Sequence, residues 1–351
     1  MISSLSSLAD RNFIIGFLLP TAVALAMLQW LFADIVPVAN VLYADTKDAT
    51  ALLAAAVLGG WLAAALLLSV SNALHRILEG YWGPLATASV RDAEIAKATA
   101  ASSAITTASA EEATARQNLA KVRAEFDAGT ATAQALQTAK TQRDDAAKAH
   151  ALKRRDYHAR YPMPPDAALP TKFGNVLRAF ETYPLTVYGA EGITVWPRLL
   201  AVIPDAYQKQ IDTARAETDF YVNFVFISAV LAVLATLRFV LAIAPDVAAD
   251  AWNVEIDGGA VPDAYALRFL AIAALNCAIC GSAYRGAIAT AMAWGSYVRS
   301  AFDLYLPALA NALGYEHPRT DAERRLFWYR LVQTFLENRT FDATQWPAAR
   351  K

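Results

Sequence analysis

Side chains that form disulfides or bind metals are scarce in this sequence of 351 residues. Its two cysteines, Cys277 and Cys280, lie within one apolar stretch, so the chain has neither a disulfide framework nor a zinc ligand set. The four histidines are far apart in the sequence and join no cysteine cluster: His75, His150, His158 and His317. We therefore expect no metal and no cofactor.

Signature motifs of the common enzyme classes are also absent. The sequence contains no phosphate-binding glycine loop, no H-E-x-x-H metal motif and no G-x-S-x-G nucleophile motif. The formal net charge is −1 at pH 7, which gives no reason to expect a nucleic-acid partner. These absences favour a non-enzymatic protein and leave an enzyme as an open alternative.

Long apolar runs are what the sequence does contain. A bilayer core of about 30 Å is crossed by about 20 apolar residues in a helix. Four runs reach that length, at about 13–32, 49–70, 220–244 and 264–284. A secretory signal peptide is the alternative for the first run, since Arg11 precedes it. The runs predict a polytopic membrane protein with four transmembrane helices and with the lipid bilayer as a partner.

Two of the predicted spans extend beyond the lipid. The segment from Asp205 to Pro245 has no interior glycine or proline and changes from charged to apolar, which predicts one helix of about 60 Å. The fourth run continues into an amphipathic stripe that ends near Gly314, and Thr320 to Glu323 then has the form of a capping box. We therefore predict an all-α fold in which two of the four transmembrane helices extend into a cytoplasmic helical domain.

The sequence divides by composition into successive segments. They are a first transmembrane pair (1–84), an alanine-rich cytoplasmic hairpin (85–160), a juxtamembrane collar and stalk (161–219), a second transmembrane pair (220–284) and C-terminal cytoplasmic helices (285–351). The hairpin segment has 24 alanines and a turn signal from Asp127 to Thr130, so we expect helical arms near 87–126 and 131–158. A poorly ordered, solvated spacer is the alternative.

The distribution of Lys and Arg predicts the orientation. Residues 71–219 contain 18 of them and residues 285–351 contain 9, against one in residues 33–48 and none in residues 245–263. Basic residues are retained in the cytoplasm, so both termini and the large middle region are predicted to be cytoplasmic.

The collar proper, residues 173–204, is the soluble segment richest in aromatic and turn-forming residues, and the stalk, residues 205–219, follows it. Rigid side chains at this density are typical of a packed or a recognition surface, and packing on the stalk is preferred over a ligand site. The candidate interaction residues of the collar are Arg178, Glu181, Tyr183, Tyr188, Trp196 and Arg198.

Polar residues within the spans are the candidates for a role inside the membrane: Arg238, Arg268 and Asn276. The two arginines are expected near the outer ends of their helices, where they snorkel or pair with Asp246 and Asp263. A basic ring at the mouth of an oligomeric pore is the alternative. Asn276 lies deeper and is expected to hydrogen-bond between helices. An ion or proton path through it is the alternative, which no Asp or Glu within the spans supports.

Small residues recur every four positions in the second run. They form two series, Ala55, Gly59 and Ala63, and Ala56, Gly60 and Ala64. This spacing lets helices approach closely, which predicts packing on another helix or another subunit. The general abundance of alanine is the alternative explanation.

Three passages of the chain are distinctive: FIIGFLLP (13–20), FGNVLRAFETYPLTVYG (173–189) with WPRL (196–199), and AFDLYLPALANALG (301–314). In these passages the chain resembles an uncharacterised family of bacterial multi-pass inner-membrane proteins. The resemblance implies a bacterial inner membrane. It carries no catalytic or binding residue over to this chain.

The sequence as a whole favours a non-enzymatic, oligomeric inner-membrane protein. We expect a scaffold or a signal-responsive membrane effector within a multi-component bacterial system, such as a defence system. Its expected partners are further copies of the chain and a cytoplasmic protein. An ion channel or transporter is the first alternative, although the spans offer few polar residues and no inverted repeat. A membrane-embedded enzyme is the second.

Overall fold

A computed structural model describes residues 11–32, 46–84, 86–243 and 263–339. These residues form helices and short connections, with no β-strand among them. Within the same ranges, four helices are long and apolar enough to cross a membrane: Arg11–Leu31, Ala54–Glu79, Asp205–Ile243 and Ala266–Ala312. The predicted all-α fold with four membrane-length helices is therefore confirmed. The predicted outer connections, 33–48 and 245–263, lie almost entirely outside the described residues.

The helices follow one another along the chain with short links. Their bounds are α1 (Arg11–Leu31), α2 (Thr46–Glu79), α3 (Ala88–Asp127), α4 (Ala133–Arg160), α5 (Lys172–Glu181), α6 (Tyr183–Tyr188), α7 (Gly192–Leu200), α8 (Asp205–Ile243), α9 (Asp263–Ala312) and α10 (Asp321–Leu336). The chain divides into two compact units. The first comprises Met1–Arg76 and Lys209–Ala291, and the second comprises Ile77–Gln208 and Met292–Lys351. Helices α2, α8 and α9 therefore contribute residues to both units.

Helix α1, in the first unit, contains a π-helical segment, Ile14–Leu18, shortly before Pro20. Proline has no backbone N–H to donate, and its ring collides with the carbonyl four residues earlier in a regular α-helix. The segment is wider than an α-helix, since the Leu19 N–H bonds to the Ile14 carbonyl five residues back. The local widening therefore accommodates the proline within a helix of membrane length.

Helix α2 packs on α1 through one of its two small-residue series. Ala64 is fully buried against Phe13 and Phe17. A Cβ added at Gly60 would lie 3.9 Å from a leucine side chain of α1, whereas a Cβ added at Gly59 would meet no described atom within 4 Å. The series that contains Gly60 is thus used within the chain, and the position of Gly59 is open.

A second apolar cluster joins α1, α8 and α9 in the same unit. Its buried members are Leu31, Ala235, Phe269, Ile272 and Ala273. Lipid tails are as apolar as these side chains, so close packing rather than removal from water holds helices together within a bilayer.

Helices α3 and α4 form a hairpin in the second unit, within two residues of the predicted arms. Thr87 and Thr132 cap the two helices, because each side-chain oxygen accepts a hydrogen bond from the backbone N–H three residues later. Gly129 turns the chain between them with φ of +74°. Midway along the arms, His150 Nδ1 lies 2.7 Å from Glu112 Oε2 and links the two helices.

The base of this hairpin is packed on the collar through polar contacts. Glu94 of α3 is buried, with its Oε1 2.6 Å from Lys97 Nζ. Asn175 of α5 donates from Nδ2 to Glu94 Oε2 at 3.3 Å, and Arg91 Nε donates to the Ala168 carbonyl at 3.3 Å. Buried polar groups with partners of this kind fix how two elements meet.

The collar helices α5 to α7 lie close to α9 and α10. The rings of Phe180 and Trp294 pack edge to face with centroids 5.1 Å apart. A Cβ at Gly295 would stand 2.4 Å from Phe180 Cδ1, so only glycine permits this approach. Gly189 ends α6 with φ of +73°, and a Cβ there would stand 2.5 Å from the Arg325 carbonyl oxygen of α10.

Candidate functional site

Three helical faces of the second unit converge on a cleft of about 470 Å³. Residues spaced three or four apart lie on the same face of a helix, which brings their side chains to one wall. The charged and ionisable residues that matter here are Arg154, Arg155 and His158 of α4, Tyr183 of α6, and Arg299 and Asp303 of α9. A cleft of this volume is in the range of small-molecule sites, about 300–1,000 Å³.

Asp303 connects the collar to α9. Its Oδ1 accepts hydrogen bonds from the hydroxyls of Tyr183 and Tyr188, each at 2.7 Å. Burial, together with the hydrogen bond to this carboxylate, raises the pKa of Tyr183 to about 12, and the same causes raise the pKa of Tyr188. We call these three residues the tyrosine clasp. Two of the predicted collar residues are therefore brought together by an aspartate outside the collar.

The rest of the charge in the cleft is basic. Arg299 donates from Nη1 to the His158 carbonyl at 3.0 Å, which links α9 to the end of α4. Partial burial lowers the pKa of the Arg299 guanidinium. Partial burial also lowers the pKa of His158, and the positive charges of Arg154 and Arg299 lower it further. Among the described residues that line the cleft, Asp303 is the one carboxylate.

The other predicted collar residues lie outside the cleft. Arg178 and Glu181 form an ion pair in which Arg178 Nη1 lies 3.6 Å from Glu181 Oε2. Trp196 packs on a phenylalanine ring of α9 with centroids 5.7 Å apart, and the Arg198 guanidinium lies 4.0 Å from the centroid of a phenylalanine ring of α10. Gln208, at the start of the stalk, donates to a collar carbonyl at 2.7 Å. The collar therefore packs on α9 and α10 as well as on the stalk.

A second polar cluster lies in the first unit, between α2 and α8. His75 Nε2 lies 2.8 Å from Asp219 Oδ1, and Arg215 Nε lies 3.9 Å from Asp219 Oδ2. This group was not predicted from the sequence, where the histidines were treated as isolated. The available clue was position: His75 follows the second predicted span and Asp219 precedes the third, so the predicted topology puts both at the same membrane face.

One turn further along α8, Asn223 bonds to α1. Its Nδ2 donates to the Gly16 carbonyl at 2.7 Å, and its side chain is buried. Gly16 stands four residues before Pro20, whose missing N–H deprives that carbonyl of its regular α-helical donor. Asn276, for which an interhelical bond was predicted, instead donates to the Ile272 carbonyl of its own helix at 2.9 Å.

The two predicted intramembrane arginines meet at one aromatic ring. The guanidinium of Arg238 lies 5.0 Å from the centroid of Phe269, and that of Arg268 lies 4.6 Å from it. Cation–π contacts of this kind stabilise a guanidinium beside apolar surface. The predicted partner Asp246 and the side chain of Asp263 lie outside the described part of the chain.

The predicted candidates thus fall into separate places. Two tyrosines meet at one carboxylate, and two arginines meet at one aromatic ring. The others form an ion pair (Arg178 and Glu181), a hydrogen bond within one helix (Asn276) and packing contacts on aromatic rings (Trp196 and Arg198). No protein-family model, no curated protein and no solved structure matches the chain.

Proposed function

We propose that this chain is a non-enzymatic, homo-oligomeric protein of the bacterial inner membrane, with both termini and the second unit in the cytoplasm. It acts as a scaffold or as a signal-responsive effector in a multi-component system such as bacterial defence. The second unit binds a soluble partner, and the membrane helices respond. The four membrane-length helices and the distribution of Lys and Arg support this location.

Helix α9 supports this proposal most directly. It runs without a break from Asp263 to Ala312 and contains an apolar stretch long enough to cross a membrane. The same helix supplies Arg299 and Asp303 to the cleft. A ligand or partner that displaces Asp303 therefore acts on the element that enters the membrane, and small helix shifts are a common way to transmit a switch.

Exposed apolar side chains on the collar support a protein partner. Leu185, Val187 and Ile193 are large, apolar and exposed within one short segment of the second unit. Exposed apolar side chains that cluster on a soluble surface mark contact sites for other proteins. A cytoplasmic protein that covers this segment would lie next to the tyrosine clasp.

The effector role is tested by the decay of a potassium diffusion potential in proteoliposomes, followed with a voltage-sensitive dye. The Asp303→Asn variant weakens the clasp, so we expect it to change the decay rate relative to the unaltered protein. Asp156→Asn is the matched control, because it removes a carboxylate from an exposed ion pair of α4. Decay rates equal to those of protein-free vesicles for both the unaltered protein and Asp303→Asn would eliminate the effector role.

An ion channel is the second candidate, favoured by the meeting of Arg238 and Arg268 at one ring. The test measures ion flux in proteoliposomes for two double variants. One replaces Arg238 and Arg268 by alanine, and the other replaces Glu181 and Trp196 by alanine. Loss of flux in the arginine pair alone would support a channel lined by these side chains. Loss in the collar pair alone would place the determinant in the second unit.

A further inference from the structure

The cleft between α4, α6 and α9 contains two arginines and a carboxylate oxygen that form no hydrogen bond with the described residues. We propose that it binds a small phosphorylated molecule with a planar ring and a hydroxylated sugar, of the class of nucleoside monophosphates. This inference rests on the proposed function, since such a ligand would be the signal that the second unit receives. It adds the chemistry of that signal.

The phosphate end is assigned to the arginines. Arg154 and Arg155 stand next to each other at the cleft and form no hydrogen bond or ion pair with any residue in the described ranges. Arg299 lies across the cleft and donates from Nη1 to the His158 carbonyl. With Asp303 as the one carboxylate among the described lining residues, three guanidiniums face one negative charge. Guanidinium groups bind phosphate oxygens through paired, charge-assisted hydrogen bonds.

The sugar end is assigned to Asp303. Both tyrosine hydroxyls of the clasp donate to Oδ1, and Oδ2 accepts no hydrogen bond from the described residues. A carboxylate oxygen near a phosphate site is a suitable acceptor for ribose hydroxyls. The carboxylate also explains why a purely anionic ligand is a poor fit, because a second phosphate near Asp303 would be repelled.

The ring end is assigned to the aromatic part of the wall. Tyr161, Met163 and Tyr183 line the cleft on the side of the collar. Tyrosine rings stack on planar heteroaromatic rings, and a thioether packs well at a ring edge. The cleft therefore presents arginines, a carboxylate oxygen and an aromatic wall to one ligand.

A soluble source of the phosphate is favoured over a lipid headgroup by position in the sequence. Arg299 follows the end of the predicted fourth span, at residue 284, by 15 residues. A helix of that length rises about 22 Å, which exceeds the reach of a headgroup from the membrane surface. The two sources are separated experimentally below.

The test is calorimetric titration of the full-length protein, in micelles of a neutral detergent, with AMP, adenosine and inorganic phosphate. We expect AMP to bind at least about tenfold more tightly than either fragment, since each fragment lacks part of the contact set. The double variant Arg154→Gln with Arg155→Gln should weaken AMP binding about tenfold or more, because charge-assisted hydrogen bonds to phosphate are lost. Both side chains are exposed, so folding should be retained.

The matched control removes the same number of positive charges from the same helix end. Lys153 and Arg160 lie outside the cleft lining. The double variant Lys153→Gln with Arg160→Gln should therefore leave AMP affinity unchanged. Equal weakening in the control and in the cleft variant would show that AMP follows net charge, and would overturn the assignment. Absence of AMP binding to the unaltered protein at millimolar concentration would overturn it as well.

A further arm uses nanodiscs with and without anionic phospholipid. AMP affinity that is unchanged by anionic lipid is the expected result. Loss of AMP binding by the unaltered protein in anionic nanodiscs, with AMP binding retained in neutral ones, would assign the arginines to a lipid headgroup and overturn the nucleotide assignment. None of these binding results depends on oligomeric mass or on membrane potential, so failure here is distinguishable from failure of the proposed function.

Discussion

At the scale of single residues, Asp303 is the position with the most consequences in the second unit. Its carboxylate is the shared acceptor of two tyrosine hydroxyls. A hydrogen bond to a charged acceptor contributes about 1.5–3 kcal/mol, against about 0.5–1.5 kcal/mol for a neutral one. Asp303 is itself exposed, so solvent screens part of this difference. We therefore expect Asp303→Asn to lower the free energy of unfolding by about 1–2 kcal/mol, measured by chemical denaturation. The control Asp156→Asn should cost under about 1 kcal/mol, because it breaks only an exposed ion pair.

The clasp also predicts a dependence on alkaline pH. The pKa of Tyr183 is raised to about 12 by burial and by Asp303, whereas an unfolded tyrosine titrates near pH 10. The folded state therefore holds the proton more tightly, so the stabilisation is complete below about pH 10 and is lost as pH rises toward 12. The denaturant concentration at the midpoint of unfolding should fall as pH rises across this window, and it should fall less steeply in Asp303→Asn. Identical slopes for the two proteins would contradict the role of the carboxylate.

Asn223 is the corresponding position in the first unit. Replacing it by leucine removes the donor to the Gly16 carbonyl, and we expect a loss of about 1–2 kcal/mol in detergent unfolding. Asn276→Leu is the control, since Asn276 is equally buried but bonds within its own helix. A larger loss in the control than in Asn223→Leu would refute the interhelical bond as a stabilising contact.

At the scale of elements, the hairpin of α3 and α4 is held across its middle by Glu112. The pKa of this carboxyl is lowered because His150 donates a hydrogen bond to it; desolvation opposes the effect and the charge of Arg116 adds to it. The contact of Glu112 with His150 therefore stabilises the hairpin fully above the ordinary pKa of the carboxyl, 4.5. This stabilisation is lost as pH falls below that value. Glu112→Gln should speed amide exchange in both arms at pH 7, about two- to fivefold. Glu125→Gln, at an exposed position of α3, should leave exchange in α4 unchanged.

Features of the elements with local signals were predictable from the sequence. The capping box of α10 is present, with Thr320 and Glu323 bonding reciprocally. The turn signal from Asp127 to Thr130 is present as well, with Gly129 at φ of +74° between α3 and α4. Apolar runs, caps and glycine turns act over a few residues, so one sequence is enough to read them.

Contacts between distant elements were not predictable. Asp219 meets His75 over a separation of 144 residues, and Asn223 meets Gly16 over 207 residues. Periodicity gives the depth and face of a polar residue but not the helix it will touch. For the same reason the sequence predicts an interhelical hydrogen bond at Asn276. In the structure Asn276 bonds within its own helix, and Asn223 forms a bond between helices.

At the scale of the whole molecule, the distribution of Lys and Arg predicts which segments face the cytoplasm. The test uses two single-cysteine variants, Ala128→Cys and Asn253→Cys. In both, the two native cysteines are replaced by alanine. An impermeant maleimide added to spheroplasts should label position 253 before lysis and position 128 only after it. Labelling in the opposite order would invert the proposed orientation.

The proposed function requires several copies of the chain to act together in the membrane. The Gly59 position of α2 is a candidate contact, because a Cβ there would meet no described atom within 4 Å of its own chain. Gly59→Leu should therefore shift the assembly toward single chains and leave the fold of each chain intact.

The most direct measurement is the mass of the protein extracted in detergent, with the contribution of the micelle subtracted. We expect a single species whose protein mass corresponds to a defined number of chains, two or more. A monodisperse single chain, in detergent and in lipid nanodiscs alike, would contradict it.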